Sequence, residues 1–199
     1  MEKNKIIDKL LAITEQTIVP MTQKSILQGN KIFGAAILNK ADLSLIIAST
    51  NHETENPLWH GEIHTLKKFY EIPKNKRPLA KDCLFFSTHE PCSLCLSAIT
   101  WGGYDNFYYL FDYYDTRDLF HIPHDLKILK EVFNCDNGRY STTNSYWTSY
   151  YLLDLINSSD VKSKSDFLSR VAALKDIYNE LSEKYQIASK LNESEIIQK

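Results

Sequence analysis

The segment "DCLFFST" at residues 82–88 sets Cys83, Leu84, Phe85 and Phe86 side by side. Successive residues of a strand point to opposite faces, so a strand that is apolar at every position belongs in a sheet covered on both faces. "DNFYYLFD", residues 105–112, reads as a second such strand. Between them lies "PCSLCLSAITWGG", a helical segment with Pro91 expected at its first position and Gly102-Gly103 as its stop. A chain built this way needs helices on both sides of its sheet.

The flanking segments agree. Residues 3–19 read as an amphipathic helix with Ile6, Ile7, Leu10, Leu11 and Thr14 or Ile18 on one side. Two β-rich runs, 31–38 and 43–49, flank the turn Asn39–Asp42 as a hairpin. A loop at 50–58 leads into a helix over 60–71, and "TRDLFHIPHDLKILKEVF" is helical with a break at Pro123. The order predicts an α/β fold, a three-layer α/β/α domain with a mixed sheet, over residues 1–135.

Residues 136–199 form a helical C-terminal extension, a lid or an interface. It holds a short helix at 145–156 and then a seam of Phe167, Val171, Leu174, Tyr178, Leu181, Tyr185 and Ala188 on a helix of about 25 residues. That seam serves either packing on its own domain or a dimer or partner interface, and a homodimer is expected.

The chain's 199 residues suffice for one well-packed domain plus such an appendage. With 25 acidic against 23 basic residues, net charge −2, nothing global attracts a phosphate backbone or an anionic membrane. The one basic cluster is Lys74, Lys76, Arg77 and Lys81. The charged N-terminal stretch lacks the apolar core of a signal peptide, and no run approaches the roughly 20 apolar residues of a membrane span. Four cysteines do not make a disulfide framework, so a reducing, cytoplasmic compartment is expected.

Cys92 and Cys95 stand three apart, behind Pro91, at a junction of strand and helix. That position suits a redox pair as well as a metal site. The deciding feature lies upstream in "WHGEIHTL". His60 with two thiolates supplies three ligands of the kind zinc prefers, leaving a fourth position for water, and Glu62 supplies an acid/base. Both cysteines are expected in the first turn of a helix, where the dipole favours thiolates. In mid-helix His60 and Glu62 would point about 200° apart; at a helix mouth they share a site. Gly61 is expected to leave room for that mouth to press against the one at Cys92. His64, at i+4 from His60, is a rival ligand, but the metalloprotease pattern puts its Glu directly after the first His, and it is read as a packing or surface residue.

The His-x-Glu…Pro-Cys-x-x-Cys constellation resembles the cytidine deaminase-like zinc deaminases. "HGEIHTL" is similar to the yeast-type cytosine deaminases; "FGAAILNK" and "STHEPCSLCLSAITW" are similar to guanine deaminases and tRNA adenosine deaminases. The resemblance covers about residues 30–120. It implies a Zn2+ cofactor on His60, Cys92 and Cys95, with Glu62 moving protons in a hydrolytic deamination. It also implies Asn51 as an amide that recognises the substrate, Phe33 and His89 as pocket walls, and Gly61 beside the substrate. The expected substrate is a small free nucleobase or related amino-heterocycle, cytosine- or guanine-like. One alternative is an adenosine or cytidine in tRNA or other RNA; another is a catalytically silent, zinc-stabilised interaction protein.

Overall fold

A computed structural model describes residues 2–196. Helix α1 (Glu2–Ile13) passes through a π-helical turn, Thr14–Ile18, into α2 (Val19–Ile26). The widened turn lets the helix outrun the predicted end at 19. Pro20, in the first turn of α2, has no N–H to continue the regular ladder, and the π turn absorbs the mismatch. The expected inner face holds: Ile7, Leu10, Leu11, Thr14 and Ile18 are buried.

The hairpin β1 (Gly34–Asn39) and β2 (Leu45–Thr50) is antiparallel, and β1 also pairs antiparallel with β3 (Cys83–His89). β4 (Asn106–Phe111) and β5 (Thr148–Tyr151) then add in parallel. The result is one mixed five-stranded sheet of order β2-β1-β3-β4-β5. Side chains alternate between two cores as the pleat requires. Ala36, Leu38, Leu84 and Phe86 face the layer of α1, α2, α6 (Leu152–Asn157) and α7 (Val161–Ile196). Ala35, Ile37, Phe85 and Phe107 face the layer of α3 (Gly61–Glu71) and α4 (Ser93–Trp101). This is the three-layer α/β/α arrangement, with β3 buried at every residue. Helix α5 (His124–Phe133) follows Pro123 and packs chiefly on α4 and the turn Asp136–Gly138.

Three local expectations are corrected. Pro91 lies outside α4: Cys92 is the N-cap and Ser93 the first helical residue. Of the helix read at 145–156, residues 148–151 are strand β5 and only 152–156 are helical, because Tyr150 and Tyr151 stack on their β4 partners Tyr108 and Tyr109 at 4.6 and 5.1 Å. The last helix runs over 36 residues and returns to its own chain. Phe167, Val171, Leu174, Tyr178 and Leu181 join the core with α1 and α2, and Arg170 pairs with Asp8 and Glu15 at 2.6 and 2.8 Å. Residues 136–196 thus supply β5 to the sheet and α6 and α7 to one of its covering layers.

Candidate active site

The site forms where two helix N-termini meet at the carboxyl end of β3. His60 is the N-cap of α3 and Cys92 the N-cap of α4, with Cys95 one turn further along α4. Their ligand atoms make a triangle. Cys92 Sγ lies 3.4 Å from His60 Nδ1, Cys95 Sγ lies 3.8 Å from it, and the sulfurs are 3.6 Å apart. Zinc bonds of about 2.3 Å to sulfur and 2.0 Å to nitrogen, at tetrahedral angles, require edges of about 3.8 and 3.5 Å. The triangle therefore fits one tetrahedral ion, and it is the His/Cys/Asp/Glu group of three among the described residues that does so.

The electrostatics agree with that fit. Hydrogen bonding from Cys95 and the neighbouring His60 hold the Cys92 thiol down at about 4, against the cost of burial. Burial alone would lower His60, but Cys92, Glu62 and Glu53 push it up to about 9. Cys95 goes the other way: it is buried beside Cys92 and Glu62, and a further negative charge there needs a cation. A dication meets that need. On the far side of the ring, His60 Nε2 faces Glu53 at 3.8 Å, and Glu53 is itself held by Lys31 at 2.7 Å. A carboxylate behind a ligating imidazole fixes the ring's orientation. Nothing in the motif pointed to Glu53; its place on the loop before α3 was the available clue.

Glu62 is buried beside the triangle. Its Oε1 accepts a hydrogen bond from Ser87 Oγ at 2.9 Å, and its Oε2 lies 3.3 Å from Cys95 Sγ. Burial first, then the Cys92 charge, raise its carboxyl above the ordinary value. Asn51 is fully buried. Its Oδ1 accepts the Gly61 N–H at 2.5 Å, which leaves Nδ2 buried and unpaired. Gly61 abuts the strand rather than the other helix mouth, contrary to expectation. A Cβ there would stand 2.8 Å from the Phe33 carbonyl and 2.9 Å from the Gly34 backbone.

Phe33, His60, Glu62, His89, Glu90, Cys92 and Asp125 line a cavity of about 10 Å³, room for about one water. His89 contacts Phe33 edge-on at 4.7 Å and meets Tyr178 of α7 at 5.2 Å. Burial among these rings pushes it down to about 3, so it is neutral, and its Nε2 is buried without a partner. Glu90 is spent on structure: it accepts from the Tyr113 N–H at 3.1 Å and the Tyr140 hydroxyl at 2.7 Å. His64 is set apart from the triangle. Its Nδ1 bonds Thr50 O at 3.0 Å and its ring stacks with His52 and Trp59. Ser87 opens the quoted STHEPC stretch, but a serine in a buried strand signals no role by itself; Asp125 sits outside the motif, and only the chain path brings it to the site.

This sheet, flanked by helices with paired N-termini at the ends of its central strands, is that of the cytidine deaminase-like superfamily. Within it, residues 3–156 match the model of the MafB19-like deaminases, and the chain belongs to that family. Among solved structures, a mutant protein crystallised with 8-azaguanine shares 18% identity, with 84% of this chain and 80% of that one covered, at a TM-score of 0.50. A guanine deaminase from Bacillus subtilis shares 21% identity over 76% of this chain and 87% of its own, at 0.48. A structure from work on deaminases that edit adenosine to inosine at the tRNA wobble position shares 18% over 67% and 91%, at 0.47. No curated protein matches the chain. No helix among the described residues is long and apolar enough to cross a membrane.

Proposed function

We propose that the chain is a zinc-dependent hydrolytic deaminase acting on the exocyclic amine of a small free nucleobase or related amino-heterocycle, cytosine- or guanine-like. The observation that carries this reading is Glu62. It is a carboxyl 4% exposed, anchored by Ser87, next to a three-ligand triangle sized for one ion. A purely structural metal site has no use for such a group, which argues against the silent interaction protein.

His60, Cys92 and Cys95 hold the ion. Zinc, when bound, acidifies water and so supplies the nucleophile at neutral pH. Glu62 accepts the proton that this water gives up as its oxygen bonds the amino-bearing ring carbon. It passes that proton to the ring nitrogen, then takes the second proton from the hydroxyl now on the ring carbon and delivers it to the amine as the C–N bond breaks, the carbonyl forms and ammonia leaves. A carboxyl raised by burial suits both directions of transfer. Asn51 offers Nδ2 to an acceptor on the substrate, and Phe33 and neutral His89 wall the ring.

The proposed catalytic groups all fall within residues 1–135, and α7 acts as the wall behind His89. The reading includes a homodimer, which would cover the 91% exposed Trp101 on α4 and which light scattering tests, and a reducing cytoplasmic setting. The functional experiment is ammonia release from bases, nucleosides, nucleotides and tRNA, with Glu62→Gln as control. Activity confined to tRNA would replace the free-base reading with RNA editing.

A further inference from the structure

We propose that Lys31 and Glu53 set how tightly this chain holds its metal: Glu53 steadies His60 as a ligand through Nδ1, and Lys31 draws that carboxylate off the ring and loosens the grip. The proposal rests on the zinc site of the reading above and adds two positioning residues from outside the motif.

His60 turns Nδ1 toward the two sulfurs, at 3.4 and 3.8 Å. A neutral imidazole carries one N–H, so a ring that ligates through Nδ1 keeps its proton on Nε2. That nitrogen faces Glu53 Oε1 at 3.8 Å. An acceptor in this place fixes the tautomer, holds the ring and raises its basicity toward a metal. The same oxygen accepts from Lys31 Nζ at 2.7 Å, while Oε2 accepts the backbone N–H of Lys31 at 3.1 Å. One oxygen therefore serves two donors. The ammonium has it at bonding distance, and the imidazole stands beyond hydrogen-bond length.

The pair is held in place from both sides. Asn30 Oδ1 accepts the Thr54 N–H at 2.9 Å and its hydroxyl at 3.2 Å, which ties the loop beside Glu53 to the segment before β1. The side chains of Glu53 and Lys31 are 14% and 26% exposed, so solvent screens them only in part. The two bonds to Glu53 differ in what a substitution removes. Any residue at 31 except proline keeps the backbone N–H on Oε2, and only the ammonium on Oε1 depends on the lysine side chain. Without it, the carboxylate's full charge acts on His60. In a chain not yet loaded with metal, Lys31 spares Glu53 from being a poorly solvated, uncompensated charge. The two halves of one ion pair thus act on the metal in opposite directions. A clasp that merely fastened the loop would loosen the site alike when broken from either side.

The test measures the zinc affinity of the full chain by competition with a chromophoric chelator. Glu53→Ala should weaken binding about 10- to 100-fold, the usual effect of removing the group behind a ligating histidine. Glu53→Gln, nearly isosteric and still offering an oxygen acceptor, should fall between Glu53→Ala and the wild type. Lys31→Met should bind zinc more tightly than the wild type, and Lys31→Arg, which keeps the cation, should stay close to it. Undiminished affinity in both Glu53 variants, or binding by Lys31→Met no tighter than the wild type, would overturn the inference and leave the deaminase reading standing. The measurement uses no substrate, so it is read apart from ammonia release. A wild-type chain that takes up no zinc would overturn the reading above, and the inference with it.

Discussion

Ser87 donates its hydroxyl to Oε1 of Glu62 at 2.9 Å, from a strand position with no solvent exposure. The bond uses one carboxyl oxygen and leaves the other, Oε2, turned toward Cys95. Strand β3 thereby sets the rotamer of a residue that belongs to α3. Removing the hydroxyl leaves Glu62 in place but less well aimed. Ser87→Ala should therefore lower kcat about tenfold with KM nearly unchanged, while Ser87→Thr keeps most of the rate. Steady-state kinetics on whichever base proves active decides it, and a loss seen in KM alone would deny Ser87 a positioning role.

Glu62→Gln is nearly isosteric and removes a buried ionisable group, so the fold and the metal should survive. Deamination should fall by at least the 10²–10⁴-fold typical of a lost general acid/base. Near-normal ammonia release from this variant would remove Glu62 from the mechanism.

Cys92→Ser should take metal content from about one zinc per chain to near none, measured by elemental analysis after purification without added metal. The triangle ties α3 to α4, so the melting temperature should fall as well, and chelation of the wild type should reproduce the shift. Full zinc occupancy in the variant would move the metal elsewhere.

Gly61→Ala tests how α3 seats on β1. The new methyl would meet backbone on every side, 2.8 to 2.9 Å from Phe33 and Gly34. Backbone cannot rotate away, so the helix mouth carrying His60 and Glu62 must shift. The expected cost is about 1–3 kcal/mol in denaturant unfolding, with weakened metal retention. Unchanged stability would show that the helix mouth can shift without cost.

His89 makes stability depend on pH. Its folded value is about 3 against 6.5 unfolded, so its contribution is complete above 6.5 and drains away as pH falls toward 3. The loss approaches about 1.4 kcal/mol per pH unit below 6.5. Glu90 and Asp125, both raised to about 7, and Glu62, also raised, act in the opposite sense over the acid range. The comparison with His89→Leu isolates the histidine. Between pH 6.5 and 4 the variant should lose about 3 kcal/mol less than the wild type in denaturant titrations. Parallel curves would mean that His89 takes up a proton inside the fold.

What could be read from the chain beforehand follows from range. The consecutive apolar residues of β3 and β4, and the Gly102-Gly103 stop, are local signals, and they marked their elements correctly. His60, Glu62, Cys92 and Cys95 come together because two helices begin at one place, and a spaced motif records that. β5 was mistaken for helix because Tyr150 and Tyr151 owe their extended form to Tyr108 and Tyr109, about 42 residues earlier. Asp125 carries no spacing signature at all, and Ser87, though it opens the STHEPC stretch, reads there as one more strand residue. Each reaches the site from its own element, and any short polar residue would have looked the same in the sequence.

The return of α7 onto α1 and α2 has a consequence for the order of synthesis. Arg170 contacts Asp8 across 162 residues, and Ser182 caps the Phe120 carbonyl. A nascent chain that has reached residue 157 already holds every proposed ligand, yet α1, α2 and α6 still lack the helix that packs against them. Its apolar surface waits for a helix still inside the ribosome. Folding of this layer must follow translation of α7, and until then the half-made chain is a client for chaperones.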